Sequence, residues 1–229
     1  MKKYRIIIIV LTVLAYKYSS ATIIHIPTDY PTIQQGIDAS YERDTVLVQP
    51  GEYFENVQIA YKNIVLASHF LTTQDTSYIP LTVIDANFSG IVLFLYNVNN
   101  NTSVIGFTLR NGRNETYLNG AGIRCALAGS PLISHNIIEG NYFYNDFNLR
   151  RGGGGIACDH SDPIIEYNKI IGNTTYLGWG GGIFCYYSTA IIKNNIISNN
   201  TADYGGGIAF EVSEPIILNN LIYDNYADP

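Results

Sequence analysis

Apolar and polar positions repeat with a fixed spacing in the second half of the chain. Four segments each carry a glycine-rich step that ends in isoleucine, at intervals of 33, 27 and 25 residues. These isoleucines are Ile123, Ile156, Ile183 and Ile208. Each segment continues with two asparagines five positions apart, and isoleucine lies three positions before and two positions after the first of them. The first asparagines are Asn136, Asn168, Asn195 and Asn220, and the second are Asn141, Asn173, Asn200 and Asn225.

The residues between these fixed positions vary freely, as Ser134, Glu166 and Lys193 show at one equivalent position. Fixed apolar positions at a period of two predict short strands with one buried face. Repeats of this length indicate a solenoid, and parallel connections are right-handed. The sequence therefore predicts an all-β fold, a right-handed parallel β-helix of about seven coils with two or three strands per coil. The isoleucines would stack inside, and the asparagines would bond to one another at the corners.

The start of the chain is typical of a secretory signal peptide over residues 1–21. Three basic residues precede an apolar stretch over residues 6–16 that is too short to span a bilayer, and small residues follow it. Residues 22–229 then form a single β-helix domain. Within it we predict a short capping helix over residues 31–41, which would cover the first coil, and four clear repeats over residues 120–229.

The end of the chain carries an expectation of its own. The fourth repeat ends with the lead-in that precedes a glycine run in the third repeat, and the sequence stops there at Pro229. We therefore expect the chain to be part of a longer solenoid. Its last coil would expose Ile217, Ile222 and unpaired strand edges, which are templates for pairing with another chain. Self-association through this open coil is the expected consequence.

The formal charge argues against a nucleic-acid partner. The chain carries −6 at pH 7, and removal of the signal peptide takes away four cations and no acids, which brings the charge to −10. A chain this acidic is repelled by phosphate backbones. No later stretch is long and apolar enough for a transmembrane helix. The expected localisation is secreted, extracellular or at the cell surface.

The three cysteines occupy one position of the repeat. Cys125, Cys158 and Cys185 each follow the repeat isoleucine by two residues, and Phe210 has that place in the fourth repeat. An odd number excludes a complete disulfide framework, and the phenylalanine argues against a metal site. We predict a column of buried, unreactive thiols. We expect no metal and no cofactor; calcium stays open, although no motif supports it.

The first half of the chain carries phrases typical of one superfamily. Residues 26–59 read IPTDYPTIQQGIDASYERDTVLVQPGEYFENVQI, and residues 104–112 read VIGFTLRNG. Together with the GGGI and xxN repeats, these phrases resemble pectin-lyase-like β-helix proteins, including secreted and surface repeat proteins of that fold. The resemblance covers nearly all of the chain after residue 21. It implies the fold rather than one activity, since one fold carries many activities.

The resemblance also names catalytic motifs that the sequence can be tested against. Pectin methylesterases share the opening phrase, but the QDTLY and DFIFG motifs that supply their catalytic aspartates have no counterpart here. The NTD, GHG and RIK motifs of polygalacturonases are absent as well. The calcium-binding aspartates of pectate lyases are too loosely spaced for such a test. We therefore expect neither esterase nor polygalacturonase activity.

Outward-facing positions supply weak candidates for a site. The position after the cysteine column places Asp159, Tyr186 and Glu211 in successive coils, so the two carboxylates lie about 9.6 Å apart at the usual strand spacing. That distance is at the outer limit for the carboxylates of an inverting glycosidase. Trp179, Tyr186 and Tyr187 are candidate ligand-binding residues, because exposed aromatic rings can stack on sugar rings.

Two functions of different classes stay open at this point. The first is a non-catalytic secreted or cell-surface β-helix module that binds extracellular glycans or surface partners. The alternative is a polysaccharide lyase or glycoside hydrolase that acts on acidic polysaccharide, with Asp159 and Glu211 as its catalytic carboxylates. A cluster of outward carboxylates with a basic residue in a cleft would favour the enzyme.

Overall fold

Short strands wind around a common axis, and each strand pairs in parallel with its equivalents in the neighbouring coils. The computed structural model describes residues 21–116, 119–144 and 152–228. The predicted signal peptide lies outside the described residues, apart from Ala21. The architecture is a right-handed parallel β-helix of about six turns, and the fold predicted from the spacing of isoleucine and asparagine is confirmed.

The elements follow one another with short connections. In chain order the first part contains β1 (Ile23–Ile26), α1 (Ile33–Ala39), β2 (Thr45–Val48), β3 (Gly51–Phe54), β4 (Val57–Ala60), β5 (Val65–Ser68), α2 (Phe70–Thr73), α3 (Tyr78–Leu81), β6 (Thr82–Asp85), β7 (Leu93–Tyr96), β8 (Ser103–Ile105), β9 (Thr108–Arg110) and β10 (Arg113–Asn114). The repeat region contains β11 (Ile123–Ala126), β12 (Leu132–Ser134), β13 (Ile137–Glu139), β14 (Tyr142–Tyr144), β15 (Ile156–Asp159), β16 (Ile164–Glu166), β17 (Lys169–Ile171), β18 (Thr174–Trp179), β19 (Ile183–Tyr186), β20 (Ile191–Lys193), β21 (Ile196–Ser198), β22 (Thr201–Tyr204), β23 (Ile208–Glu211), β24 (Ile216–Leu218), β25 (Leu221–Tyr223) and β26 (Tyr226–Ala227).

Four sheets run along the solenoid. Sheet A contains β1, β2, β5, β8, β12, β16, β20 and β24, and sheet B contains β3, β6, β9, β13, β17, β21 and β25. Sheet C contains β4, β7, β11, β15, β19 and β23, and sheet D contains β10, β14, β18, β22 and β26. The expectation of two or three strands per coil is therefore wrong for the later coils, which have four. The strands of sheet D vary from two to six residues, so no constant alternation marks them in the sequence.

Columns of isoleucine fill the interior. In sheets B and C the repeat isoleucines pair Cα to Cα across the coils and are fully buried; they are Ile123, Ile156, Ile183, Ile138, Ile170 and Ile197. Burying one such side chain contributes about 1.5 to 3 kcal/mol. In the last described coil, Ile217 and Ile222 are 40% and 46% exposed. The expected self-association through that coil stays a prediction.

Two ladders of asparagine side chains join the coils at their corners. In the first ladder Asn136, Asn168, Asn195 and Asn220 are linked from Nδ2 to Oδ1 at 3.1, 3.1 and 2.9 Å. In the second, Asn141, Asn173, Asn200 and Asn225 are linked at 3.0, 3.0 and 2.9 Å. Each amide also donates to a backbone carbonyl of the preceding coil. The backbone groups that a bending strand leaves unpaired are thus satisfied by one repeated side chain.

The glycine runs reflect backbone geometry at the entry to sheet C. Gly153 has a φ of 85°, in the left-handed region that favours glycine. A Cβ on Gly155 would lie 2.5 Å from the carbonyl oxygen of Gly182 in the next coil. Any larger residue would force these coils apart, which explains why the run recurs in each repeat.

Helix α1 covers the first coil, within the range predicted for the cap. Thr32 precedes it, and the Thr32 Oγ1 accepts the Gln35 N–H at 3.2 Å. The carboxylate of Glu55 accepts the N–H groups of Ile33 and Gln34 at 2.9 and 3.0 Å, which satisfies the first turn. Ile33 and Ile37 are buried on the face that meets the coil, so the helix closes this end of the core.

Candidate functional site

The two candidate carboxylates lie at the outer edge of sheet C, in one column. Cα pairing runs from Ala126 through Asp159 and Tyr186 to Glu211 in successive coils. The structure therefore has the register that the repeat predicts. Asp159 and Glu211 are separated by two strand spacings, and the ring of Tyr186 lies in the coil between them.

Both carboxylate oxygens of Asp159 have partners within the protein. Oδ2 accepts from Arg124 Nη2 at 3.0 Å, and Oδ1 lies 2.8 Å from His160 Nδ1. The side chains of Asp159 and Arg124 are only 16% and 7% exposed, and the guanidinium lies 5.2 Å from the centre of the Phe94 ring. A buried charge of this kind is tolerated because its partner is in place. The contacts fix the position of Asp159 and engage its oxygens before any ligand arrives.

Aromatic rings continue this column at the adjoining corner. His160 and Tyr187 both have positive φ, and their rings stack with centroids 4.8 Å apart. The rings of Tyr186 and Tyr187 meet edge to face at 4.6 Å. Desolvation, followed by the neighbouring Tyr187 and Glu211, raises the pKa of Tyr186. Tyr187 also lines an open groove of about 690 Å³. The structure therefore groups Tyr186 and Tyr187 with His160.

Trp179 belongs to a different surface. It ends β18 in sheet D, where it pairs with Tyr204, and the two ring centroids are 5.2 Å apart. In the same sheet Tyr144 pairs with Tyr176, and their rings stack at 5.5 Å with planes inclined by 9°. Tyr142 precedes them and lies beneath Arg113 at 5.5 Å. We call these five aromatic residues, Tyr142, Tyr144, Tyr176, Trp179 and Tyr204, the aromatic row.

Side chains alternate between the two faces along the strands of sheet D, and the aromatic row lies on the outer face. Phe143, Thr175 and Ala202 pair across the coils and are buried, so their neighbours along each strand face the other way. Tyr176 and Tyr204 are each 50% exposed. Sequence reasoning combined Trp179 with Tyr186 and Tyr187 as one set of candidates and did not separate the two surfaces. The usable signal was the position of the tyrosines, one to four residues after the second asparagine of a repeat.

A second carboxylate cluster, which sequence reasoning missed, lies on sheet B. Arg110 Nε donates to Asp85 Oδ2 at 2.8 Å, and the guanidinium also pairs with Glu52. Asn111 Nδ2 donates to the same Asp85 oxygen at 2.7 Å, and the Asn87 N–H donates to the other at 2.7 Å. Asp85 is 3% exposed. Both carboxylate oxygens of Asp85 accept hydrogen bonds at the corner between two coils, so we assign Asp85 a structural role.

The cysteine column is buried as predicted. Cys125, Cys158 and Cys185 pair Cα to Cα, are fully buried and are free thiols. Burial, followed by the nearby Cys185, raises the pKa of Cys125 to about 12, which disfavours the reactive thiolate. Phe210 follows in register but is 51% exposed. Within the described residues, no group of three or more histidine, cysteine or acidic side chains could hold a metal ion.

Comparison with known proteins places the chain among β-helix proteins. The family model for the right-handed β-helix region matches residues 70–228. Among solved structures, the chain is similar to the pectin methylesterase of Aspergillus niger in its deglycosylated form, with 14% identity, 89% of this chain and 86% of that chain covered, and a TM-score of 0.41. A second form of that enzyme, penultimately deglycosylated, gives 15% identity, 89% and 85% coverage and a TM-score of 0.39.

No curated protein sequence matches the chain. A likeness at the identities and TM-scores of the two esterase structures carries no argument about activity. In the described part of the chain, no helix is long and apolar enough to cross a membrane.

Proposed function

The chain belongs to the right-handed β-helix family, and from this premise we propose that it is a secreted or cell-surface module that binds extracellular glycans without cleaving them. The observation that carries the proposal is the aromatic row on the outer face of sheet D. Tyrosine and tryptophan combine a large apolar ring with a polar group at its edge. Such rings can pack against the apolar faces of sugars while the tyrosine hydroxyl and the tryptophan N–H bond to sugar hydroxyls.

The spacing of the aromatic row favours an extended ligand. Its rings lie in consecutive coils, and the centroids of the Tyr144–Tyr176 and Trp179–Tyr204 pairs are 5.5 and 5.2 Å apart. A surface that repeats at this interval presents similar contacts along the solenoid axis. A polymer of sugar rings could contact several of them at once, and linked weak contacts raise the overall affinity.

The second candidate function is glycan cleavage, and the Asp159 column is the observation that favours it. Asp159 and Glu211 share a column with a tyrosine between them, and a buried arginine and a histidine contact Asp159. Against this, both Asp159 oxygens are engaged, and the separation of the carboxylates is about 9.6 Å by strand spacing. We therefore rank binding above catalysis.

The proposal is tested on a panel of neutral and acidic polysaccharides with the full chain. We expect retention on at least one of them, and we expect the double variant Tyr176→Ala/Tyr204→Ala to lose at least tenfold in affinity. The matched control is Tyr41→Ala/Tyr61→Ala, which removes two tyrosines that are 71% and 68% exposed and lie outside sheet D. Equal losses in both double variants, or no retention of the wild-type chain, would refute the role of the aromatic row.

The same panel separates binding from cleavage. Incubation of each bound polysaccharide with the chain should release no new reducing ends and no unsaturated products, with or without calcium. Turnover that disappears in Asp159→Asn or Glu211→Gln would replace the binding proposal with the enzyme.

A further inference from the structure

The segment between β5 and β6 leaves the coil and forms α2 and α3 on the outside of the solenoid. The Thr108 Oγ1 donates to the Ile79 carbonyl at 3.1 Å, which ties α3 to sheet B. His69 before α2 stacks on Tyr78 of α3 at 5.7 Å, which ties the two short helices together. The insertion borders the corner of the next two coils, and a cavity of about 310 Å³ lies between them.

One wall of this cavity is aromatic. His135 and Tyr167 occupy the same corner of successive coils, and their rings stack with centroids 5.0 Å apart and planes inclined by 20°. Phe70 of α2 packs against His135 at 4.8 Å. The Oγ of Ser134 lies 2.7 Å from His135 Nδ1 and holds the imidazole in this orientation. These contacts occupy the ring faces of His135, so this wall borders the cavity with the edges of a packed aromatic stack.

The other walls are mostly apolar, with one cation at the rim. Ile79 and Pro80 of the insertion and Ile137 of sheet B line the cavity, together with Thr76, Asn136 and Lys169. Among the described residues, the Lys169 ammonium makes no ion pair or hydrogen bond. The neighbouring Lys193, by contrast, is paired with Glu166 at 3.0 Å. In an acidic chain, Lys169 is thus an uncompensated positive charge beside an apolar, aromatic-walled space.

We propose that this cavity binds a small aromatic carboxylate. The aryl ring would lie between the His135–Tyr167 wall and the Ile79–Pro80 wall, and the carboxylate would accept hydrogen bonds from Lys169. The cavity volume is at the lower end of the usual range for ligand sites, which suits a single ring. A sugar ring fits the chemistry less well, because hydroxyl groups facing Ile79, Pro80 and Ile137 would lose their water without gaining partners.

The test uses benzoate as the probe, with benzamide as its neutral analogue of the same shape and glucuronate as an acidic sugar. Isothermal titration of the full chain should give saturable binding of benzoate, and binding of benzamide at least tenfold weaker, because a hydrogen bond to a charged group is worth more than a neutral one. Lys169→Gln should reduce benzoate to the affinity of benzamide. Tyr167→Ala should weaken both aryl ligands, since it removes one of the two rings of the aromatic wall.

Lys193→Gln is the matched control, since it removes a nearby lysine that is already paired on the surface. It should leave benzoate affinity within about twofold of wild type. The proposal is overturned if Lys169→Gln and Lys193→Gln have equal effects, if glucuronate binds more tightly than benzoate, or if benzoate shows no saturation up to about 10 mM. Lys169 is exposed, and the side chain of Lys193 is 37% exposed. Neither Lys169→Gln nor Lys193→Gln should therefore impair folding.

Discussion

The repeat region and the coils before it close their corners by different chemistry. In the repeat region the same buried asparagine recurs in each coil and bonds to its equivalents above and below. In the first coils each corner has its own side chain: Asp44 accepts the N–H groups of Thr22 and Tyr41, both at 2.8 Å, and Asp85 accepts that of Asn87. Both solutions satisfy a bending backbone, but only one of them repeats.

The two regions meet between β8 and β10. There the N–H of Phe107 donates to Asn136 Oδ1 at 3.0 Å, and the N–H of Gly112 donates to Asn141 Oδ1 at 2.8 Å. Both ladders therefore begin against backbone rather than against another amide. Phe107 is fully buried in the column that asparagine occupies later. A corner of this fold accepts either an apolar side chain or an amide, provided that the neighbouring coil supplies the missing bonds.

The ladder should carry the largest effect on stability. Asn168→Ala removes the acceptor of two donors on Asn136 and the donor to both Ile133 and Asn195, all in buried surroundings. Each unsatisfied buried group costs about 1 to 3 kcal/mol, so we expect a loss of about 4 kcal/mol in unfolding free energy. Urea denaturation followed by circular dichroism measures it.

The control for that substitution is Asn199→Gly at the neighbouring corner. Asn199 has a φ of 55°, and among the described residues its side chain hydrogen-bonds only to Ser198 Oγ, at 3.3 Å. Glycine accepts this conformation, so the change should stay within about 1 kcal/mol. A loss at Asn168 no greater than at Asn199 would mean that the ladder does not stabilise the repeat region.

The non-repeating corners should show a smaller effect that depends on pH. Burial raises the pKa of the Asp85 carboxyl, but hydrogen bonds from Arg110, Asn87 and Asn111 outweigh burial and hold the pKa below its usual 3.8. A carboxyl with a lowered pKa stabilises the folded chain fully above its unfolded pKa and loses this contribution as pH falls through its folded pKa. Asp85→Asn should therefore cost about 2 kcal/mol at pH 7, and the difference from wild type should shrink below about pH 4.

Asp224→Asn tests whether that pH dependence is specific. Asp224 is exposed at a corner with a φ of 50°, which asparagine accepts. Its stability difference from wild type should be small, because the side chain is exposed. If Asp85→Asn gave the same difference from wild type at pH 7 and at pH 3, the Asp85 network would have no electrostatic part.

This contrast also explains how far sequence alone could go. The spacing of Asn136 and its equivalents predicts the ladders and internal columns, because one residue type performs one task in each coil. The Asp85 network could not be predicted, since Glu52, Asp85 and Arg110 share no pattern and meet only through register. The aromatic row is intermediate between the ladders, which the spacing predicts, and the Asp85 network, which it does not. Its tyrosines follow the second asparagine, but a register shift between Thr175 and Trp179 obscures the alternation.

The insertion that forms α2 and α3 was missed for a related reason. Each of these helices has four residues, which is too short for an apolar periodicity to appear. The cavity beside them is lined by residues that lie between Thr76 and Lys169 in the sequence, so no local pattern marks it. Asp159 and Glu211, by contrast, were placed correctly because they belong to the repeat.

The cysteine column should respond more weakly than the ladders. Cys158→Ala removes one sulfur atom from a closely packed interior, which costs about 1 kcal/mol. A thiol reagent should label none of the three described cysteines in the native chain and all three in urea, because the thiols are fully buried and the pKa of Cys125 is raised to about 12. Rapid labelling without denaturant would show that the coils open more readily than the ladders imply.

The smallest effect should come from the variable surface of the repeat region. Lys193 Nζ lies 3.0 Å from Glu166 Oε2 across adjacent coils, and the two side chains are 37% and 19% exposed. Water and salt screen a pair in this setting, so the interaction should be worth about 0.5 kcal/mol. A double-mutant cycle with Glu166→Gln and Lys193→Gln isolates it from the other effects of each substitution. The coupling should fall further in 1 M salt, where the screening length is about 3 Å. A coupling near that of the Asn168 ladder would mean that ion pairs between coils stabilise the repeat region as much as its buried amides do.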